Sequence, residues 1–276
     1  MKKIALILIM VGFNFGLSFL AHADELNVAA ASDLSFAMKE LAANYEKQTG
    51  TIVKVTLGSS GNFFTQIQNG APFDLFFAAD IDYPKKLEAA GFGEPGTLYQ
   101  YATGKIIIWV PADSKLDVSK GLAVLSDPSV RKIAIANPKH APYGRAAVAA
   151  MTKQGIYEKI TDKLVFGENV SQTAQFIESG NADVGIIALS LALAPAMADK
   201  GKYYEIPQDL YPPLDQGAIV IKASQKKEQA KQFLAYLKTP ESVALLQRYG
   251  FKLAETPADA SKSNDKKSNK KKEKKS

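Results

Sequence analysis

Hydrophobic positions follow two alternating periods along the chain, one typical of strands and one typical of helices. Residues 26–31 are apolar except for Asn27, and apolar residues then recur at three- and four-residue spacing from residue 34 to residue 45, before Gly50 ends the helical pattern. The pattern predicts strands at 26–31, 52–57, 74–79, 106–110, 132–136, 164–167, 184–188 and 218–221. It predicts helices at 34–50, 62–69, 83–90, 144–154 and 171–179, and a helical region at 226–249 that is interrupted at Thr239-Pro240. Because strands alternate with helices, the sequence predicts an α/β fold of parallel sheets with helices on both faces.

Two lobes are expected, because a body of about 230 residues exceeds the common size of one domain. Segments 102–105 and 215–218 are predicted to carry the chain between the lobes. Residues 24–104 with 217–254 then form lobe I, and 105–216 form lobe II. A cleft between two such lobes is a typical place for a small ligand.

The two ends of the chain have their own patterns. Lys2 and Lys3 precede an apolar stretch over 4–20 and a small-x-small site at 21–23, which predicts a signal peptide over 1–23 and a periplasmic mature protein. The alternative, a transmembrane anchor, is disfavoured because the stretch is short and interrupted by Asn14. The lysine-rich residues 255–276 lack apolar periodicity and are expected to be disordered.

The charge balance and the missing cysteines narrow the possible functions. The 276 residues carry a formal net charge of +6 and contain no cysteine. Most of that charge lies in the two termini, so the body between them is mildly acidic and gives no reason to expect nucleic acid. Without cysteine, a disulfide scaffold, a thiolate metal site and a thiol nucleophile are excluded.

Four strand-to-helix turns carry small polar residues. In parallel α/β sheets, ligands bind beyond the carboxyl ends of the strands, where helix N-termini present free N–H groups. A single serine at a helix start is usually a structural cap that stabilises the helix by about 1 kcal/mol. The four turns together predict a site for a compact anion, held by hydroxyls and amides without a countercharge. They contain Ser32, then Ser59-Ser60-Gly61, then Pro142-Tyr143-Gly144, and then Val170-Ser171.

Around these turns the chain resembles the periplasmic molybdate-binding proteins of ABC transporters. The resemblance runs in order from about residue 26 to residue 253, and its most specific parts are G-A-P-F-D-L-F-F-A-A-D and the terminal R-Y-G-F. The other segments are V-A-A-A-S, G-S-S-G, N-P-K-H-A-P-Y-G and G-E-N-V-S-Q.

The resemblance implies a two-lobed type II periplasmic-binding-protein fold, in which each lobe is a mainly parallel sheet flanked by helices. Such a protein closes on molybdate or tungstate in the cleft, uses no cofactor and docks on a membrane permease; we expect it to be a monomer. The implied contacts are the hydroxyl and amide of Ser32 and of Ser60, and the backbone amides of Tyr143 and Val170. Some members have a tyrosine donor where this chain has Ala188, and the hydroxyl of Tyr143 is our candidate replacement.

Two side chains beside these contacts are given other roles. Ser59 is expected to be structural. Asp33 is expected to point into the helix start or into solvent, which leaves the site with donors only. Phosphate keeps a proton at neutral pH and would then lack an acceptor, so we expect negligible phosphate binding and weaker binding of the smaller sulfate.

Alternatives remain at this point. Sulfate or another oxyanion is the nearest competing ligand, and an envelope phosphate-ester hydrolase is the competing class of protein. His140 is the only histidine after residue 23, so a serine hydrolase would depend on it. Asp80 and Asp82 are a possible metal pair, although such a pair is more often a helix cap, and Trp109 is expected to pack in the core.

Overall fold

The computed structural model describes residues 25–253, which form two five-stranded sheets flanked by helices. The predicted signal peptide and lysine-rich tail lie outside the described residues. The first sheet has β1 (Glu25–Ala31), β2 (Ile52–Gly58), β3 (Leu75–Ala78), β4 (Tyr99–Gly104) and β10 (Leu214–Val220). The second sheet has β5 (Ile106–Pro111), β6 (Ile133–Ala136), β7 (Leu164–Gly167), β8 (Val184–Ala188) and β9 (Gly201–Glu205). The two-lobed α/β fold is confirmed.

Nine α-helices are assigned within this part of the chain. They are α1 (Ser35–Thr49), α2 (Ser60–Gln68), α3 (Asp82–Ala89), α4 (Pro142–Lys153), α5 (Tyr157–Ile160), α6 (Val170–Glu178), α7 (Leu189–Ala192), α8 (Lys227–Tyr236) and α9 (Pro240–Arg248). A 3₁₀ turn over Ser32–Leu34 leads into α1. None of the helices within residues 25–253 has the length and apolar character needed to cross a bilayer.

Both sheets are mixed, but four of the five strands in each run in the same direction, as expected for mainly parallel sheets. Strand β1 pairs in parallel with β2 and β3, whereas β10 runs antiparallel to β3 and β4. In the second sheet β6 is parallel to β7 and β8, and β5 is antiparallel to β8 and β9. Strands β4 and β9 were not predicted, because both lie at sheet edges and lack a continuous apolar run.

The chain passes between the sheets at two places. Strand β4 ends at Gly104 and β5 begins at Ile106, so only Lys105 separates the two sheets there. The return occurs through β10, which begins at Leu214. The exact lobe boundaries at 104/105 and 216/217 stay a prediction, while Trp109 is buried as expected.

Two helices begin earlier than their apolar periodicity predicts. Helix α2 starts at Ser60 after an extended Ser59, and α4 starts with Pro142 in its first turn. Proline is favoured there because the first turn needs no N–H donor. As a consequence Ser60 and Tyr143 lie in the first turns of helices, where backbone amides have no partner inside the helix.

Candidate functional site

The four turns meet at one small cavity between the two sheets. Its volume is about 10 Å³. Ser32, Ser60, Tyr143 and Val170 all contribute to its wall, so the structure brings the four predicted contact residues together. The cavity is lined by these four residues together with Ala31, Asp33, Gly58, Ser59, Ala79, Ala141, Pro142 and Asn169. None of them carries a positive charge.

Backbone amides of two helices are available at this cavity. Within residues 25–253, the N–H groups of Tyr143 and Val170 donate to no protein acceptor. The side chain of Asn169 caps α6 by accepting from Ser171 and Gln172 at 3.1 and 3.0 Å, which leaves the Val170 amide free. Helix N-termini carry partial positive charge, so these amides favour an anion without a cationic side chain.

The two serine hydroxyls each accept one hydrogen bond and keep a proton to donate. Ser60 Oγ accepts from the Ala79 N–H at 2.9 Å, and Ser32 Oγ accepts from the Ser171 N–H at 3.3 Å. Both serines are buried. Because neither hydroxyl donates to an acceptor within residues 25–253, both O–H groups are free to point at a bound oxyanion.

Asp33 occupies a place that the sequence did not predict. Its side chain is 1% exposed, and Oδ2 accepts from the Tyr143 hydroxyl at 3.0 Å and from Gln216 Nε2 at 2.7 Å. The expectation that Asp33 points into the helix start or into solvent is therefore corrected. The carboxyl lies in a buried polar cluster between the lobes, and Oδ1 has no hydrogen-bond partner among the described residues.

The hydroxyl of Tyr143 takes part in this cluster. It donates to Asp33 and accepts from Gln216 Nε2 at 3.1 Å. Its replacement of the donor absent at Ala188 stays a prediction, as does the role of the backbone amide of Tyr143. Tyr101 completes the cluster by donating to Gln216 Oε1 at 2.7 Å. We call Asp33, Tyr101, Tyr143 and Gln216 the buried wall.

Burial controls the ionisation of the buried wall. Loss of solvation raises the pKa of the Asp33 carboxyl to about 7, and the hydrogen bonds from Gln216 and Tyr143 offset this only in part. Burial, followed by the proximity of Asp33, also raises the pKa of Tyr143 well above its usual range. Tyr143 therefore remains a neutral donor at physiological pH.

A second set of contacts crosses between the lobes near the surface. The Gly61 N–H donates to the His140 carbonyl at 2.9 Å, His140 Nδ1 lies 2.9 Å from Ser59 Oγ, and Asn62 bonds to Glu168. We call these five residues the exposed rim. The structural role expected for Ser59 agrees with its contact to His140. That contact joins the lobes, and Ser59 itself is buried.

Close approach at the rim requires a glycine. A Cβ on Gly61 would lie 2.7 Å from the His140 carbonyl oxygen, and this atom belongs to rigid backbone. Real Cβ contacts do not reach such distances, so a side chain here would hold the lobes apart. The G-S-S-G turn thus serves both the cavity and the approach of the lobes.

The acidic pair at the start of α3 makes ordinary structural contacts. Asp80 forms an ion pair with Arg145 at 2.6 Å and accepts from the Asp82 N–H at 2.9 Å. No cluster of three or more His, Asp or Glu side chains within residues 25–253 is placed to hold a metal ion. Of the alternatives for Asp80 and Asp82, the structure favours the cap and the solvated side chain.

Sequence reasoning missed several residues that join the lobes. Gln216 is 0% exposed in the middle of β10, Ser190 Oγ donates to the Asp33 carbonyl at 2.7 Å, and Ser171 Oγ donates to the Ser32 carbonyl at 2.8 Å. A glutamine inside an otherwise apolar strand was a usable signal, because buried polar side chains need partners. The two serines gave no such signal.

Comparison with known proteins decides the family. The model of the bacterial extracellular solute-binding proteins matches residues 26–252. The chain belongs to this family. Its place in the family agrees with the cavity between two lobes, which is the part of a solute-binding protein that takes the solute.

The chain is also similar to individual molybdate-binding proteins and to a related substrate-binding domain. This solute-binding protein is 39% identical over 236 residues to the molybdate-binding protein ModA of Rhodobacter capsulatus, covering 86% of this chain and 91% of the relative. It superposes on the periplasmic molybdate-binding protein of Azotobacter vinelandii with a TM-score of 0.80 and 36% identity, covering 83% and 100% of the two chains. The substrate-binding domain of a putative molybdenum ABC transporter from Clostridium difficile gives a TM-score of 0.63 at 30% identity, over 84% and 99%.

Proposed function

We propose that this solute-binding protein captures molybdate, and also tungstate, between its lobes and delivers the anion to the permease of an ABC transporter. The observation that carries the proposal is the convergence of buried hydroxyls and free helix amides on a cavity without a cationic side chain. The relatives at 39% and 36% identity are molybdate-binding proteins, which points to the same anion.

The proposed contacts are hydrogen bonds to the oxygens of the anion. Ser32 and Ser60 donate through their hydroxyls and amides, and Tyr143 and Val170 donate through their backbone amides. Two of these residues come from each lobe, so the anion holds the lobes together when it is bound. The Azotobacter vinelandii relative is periplasmic, which supports a role outside the cytoplasmic membrane, and we propose the periplasm as the compartment and a monomer as the working form.

Selectivity among oxyanions follows from size and protonation. Sulfate has shorter bonds to oxygen than molybdate, so it reaches fewer of the donors of a cavity built for the larger tetrahedron. Hydrogen phosphate presents its own proton to a set of donors, a mismatch that costs about 1–3 kcal/mol. We therefore propose strong binding of molybdate and tungstate, much weaker binding of sulfate and negligible binding of phosphate at neutral pH.

Titration calorimetry of the purified mature protein tests this proposal. Separate titrations with molybdate, tungstate, sulfate and phosphate are expected to give one site per chain for the first two anions. Phosphate that displaces molybdate at comparable concentration would contradict the assignment of the ligand. Solution scattering with and without molybdate provides a second measurement, since closure of the lobes on the anion predicts a smaller radius of gyration.

A further inference from the structure

Asp33, a residue that lines the cavity, has one carboxyl oxygen without a hydrogen-bond partner among the described residues. Asp33 lines the cavity beside Ser32 and is buried, and its backbone carbonyl is already occupied by Ser190 Oγ. Oδ2 has two donors, while Oδ1 has none among the described residues. Buried polar atoms in proteins are nearly always paired, so an orphaned oxygen at a binding cavity calls for a ligand or a proton.

The buried wall determines where a proton on Asp33 would sit. Tyr101 donates to Gln216 Oε1, which turns Gln216 Nε2 towards Asp33 and Tyr143. Nε2 and the Tyr143 hydroxyl then both donate to Oδ2. Because Oδ2 is engaged as an acceptor, the atom left to carry a proton is Oδ1.

An ionised Asp33 would oppose the binding of a dianion. The groups that face the carboxyl are neutral: Tyr143 from α4, Tyr101 from β4 and Gln216 from β10. Helices α6 and α7 contribute the hydroxyls of Ser171 and Ser190 to the backbone around it. With no cation facing it, a negative carboxylate beside a buried dianion is repelled strongly, because buried charges are poorly screened.

We propose that Asp33 is a further specificity-determining residue, which binds as the neutral acid and donates its Oδ1 proton to an oxygen of the oxyanion. This inference rests on the proposed function and deepens it. The neutral acid supplies a side-chain donor in place of the tyrosine that is absent at Ala188, a role for which the sequence alone suggests the hydroxyl of Tyr143. It favours an anion whose oxygens are all acceptors, such as molybdate, over one that brings its own proton.

Binding then takes up a proton wherever Asp33 is ionised in the free protein. The free protein, one proton and the dianion give a complex in which Asp33 is neutral and the anion remains fully deprotonated. The complex holds the carboxyl protonated, so the affinity is greatest at low pH and falls as the pH rises. The limiting slope is about tenfold in affinity per pH unit.

Calorimetry of the wild-type protein with sodium molybdate measures this uptake directly. Titrations from about pH 6.5 to about pH 8.5, each in two buffers of different ionisation enthalpy, give the number of protons bound with the anion. We expect the uptake to rise towards one proton per site as the pH increases, together with a falling affinity. Tight binding without proton uptake at any pH would overturn the inference while leaving the proposed function intact.

Asp33→Asn is the decisive variant, because its amide copies the neutral acid. The carboxamide oxygen accepts from Tyr143 and Gln216, and the NH₂ group donates towards the cavity. We expect no proton uptake, an affinity independent of pH, and tighter binding than the wild type at about pH 8.5. A pH dependence equal to that of the wild type would contradict the assignment to Asp33.

Asp74→Asn provides a matched control. Asp74 is also buried, but it bonds to Ser224 and to the Asn27 N–H, away from the cavity. This variant is expected to keep the wild-type pH dependence, and a flat profile for it would count against a specific role of Asp33. If the folded wild-type protein bound no molybdate at any pH, the proposed function would fail and this inference with it. The wild-type proton uptake gives an answer even if Asp33→Asn fails to fold.

Discussion

The buried wall and the exposed rim both connect the two lobes, but they differ in burial and in the kind of contact. Asp33, Tyr101, Tyr143 and Gln216 are each at most 3% exposed, whereas the rim extends from the buried Ser59 to Glu168, whose side chain is 55% exposed. Removing one partner of a buried hydrogen-bond network costs about 1–3 kcal/mol, while an exposed ion pair contributes about 0–1 kcal/mol. The wall is thus expected to determine affinity and selectivity, and the rim mainly how fast the lobes separate.

Substitution of Ser32 or Ser60 is expected to cause the largest loss of molybdate affinity. Ser32→Ala or Ser60→Ala removes a buried donor to a dianion, which costs about 1.5–3 kcal/mol or about ten- to a hundredfold in molybdate affinity. Titration calorimetry of each variant with molybdate measures this loss of affinity. Ser59→Ala is expected to lose less, and the exposed Ser129→Ala serves as the control. Equal small losses at Ser32, Ser59 and Ser60 would mean that the contacts are assigned to the wrong residues.

Gly104 tests how tightly the wall is packed where the chain crosses between the lobes. A Cβ there would lie 2.3 Å from the Tyr143 hydroxyl and 2.7 Å from Gln216 Nε2. Gly104→Ala is therefore expected to lower the free energy of unfolding by about 1–3 kcal/mol in a denaturant titration and to weaken molybdate binding. In the double variant with Tyr143→Phe the hydroxyl is gone, so the combined loss should be smaller than the sum of the single losses. Additive losses would argue against a shared contact.

Tyr143→Phe alone separates the hydroxyl from the backbone amide. It removes one donor to Asp33 Oδ2 and leaves the amide in place, so we expect a loss of about 1 kcal/mol in stability and a pH profile of binding shifted to higher pH. The shift is upward because a hydrogen bond to the charged carboxylate is lost, which raises the pKa of Asp33. Tyr203→Phe, at an exposed hydroxyl, is the control. A large loss of affinity at every pH would instead place the hydroxyl on the anion.

Gly61→Ala tests the rim without touching the proposed contacts. The new Cβ meets the His140 carbonyl, so full closure becomes harder and the lobes separate more readily. We expect a release of molybdate that is several-fold faster in stopped-flow measurements, equivalent to about 1 kcal/mol. Gln66→Ala lies on the exposed face of the same helix and should release molybdate at the wild-type rate. An unchanged rate for Gly61→Ala would show that the rim does not limit release.

Glu168→Gln is expected to give the smallest effect. Glu168 Oε2 lies 3.6 Å from His140 Nε2, and the amide of the variant can still contact Asn62. Because the pair is exposed and long, its loss should change molybdate affinity by less than about threefold. A larger loss of molybdate affinity, measured by the same calorimetry, would contradict the expectation that the rim contributes less to affinity than the buried wall.

Local pattern was enough to predict most of the elements that form the cavity. The predicted strands at 164–167 and 184–188 coincide with β7 and β8, and the interruption at Thr239-Pro240 coincides with the gap between α8 and α9. These elements are buried or amphipathic, so their apolar spacing reports their structure directly. Strand β9 carries no such spacing, because all five of its residues are at least partly exposed.

The four turns also were visible as sequence, because a serine or a glycine between a strand and a helix has a local chemical reason. Ser32, Ser60, Tyr143 and Val170 line one cavity, although their binding of molybdate stays a prediction. What local pattern could not predict is which side chains from distant segments face one another. Asp33, Tyr143 and Gln216 lie 73 to 183 positions apart in the chain, yet they share hydrogen bonds.

By itself the sequence determined the alternation of strands and helices, the family resemblance and the turns that offer donors to an anion. These properties depend on residues that are close together in the chain, where spacing and turn chemistry act directly. Only the tertiary structure decided that both sheets are mixed, that Asp33 is buried between the lobes and that the hydroxyl of Tyr143 serves Asp33. The ionisation of a carboxyl depends on its solvation and its partners, and for Asp33 both are supplied by residues that the fold brings from β4, β10 and α4.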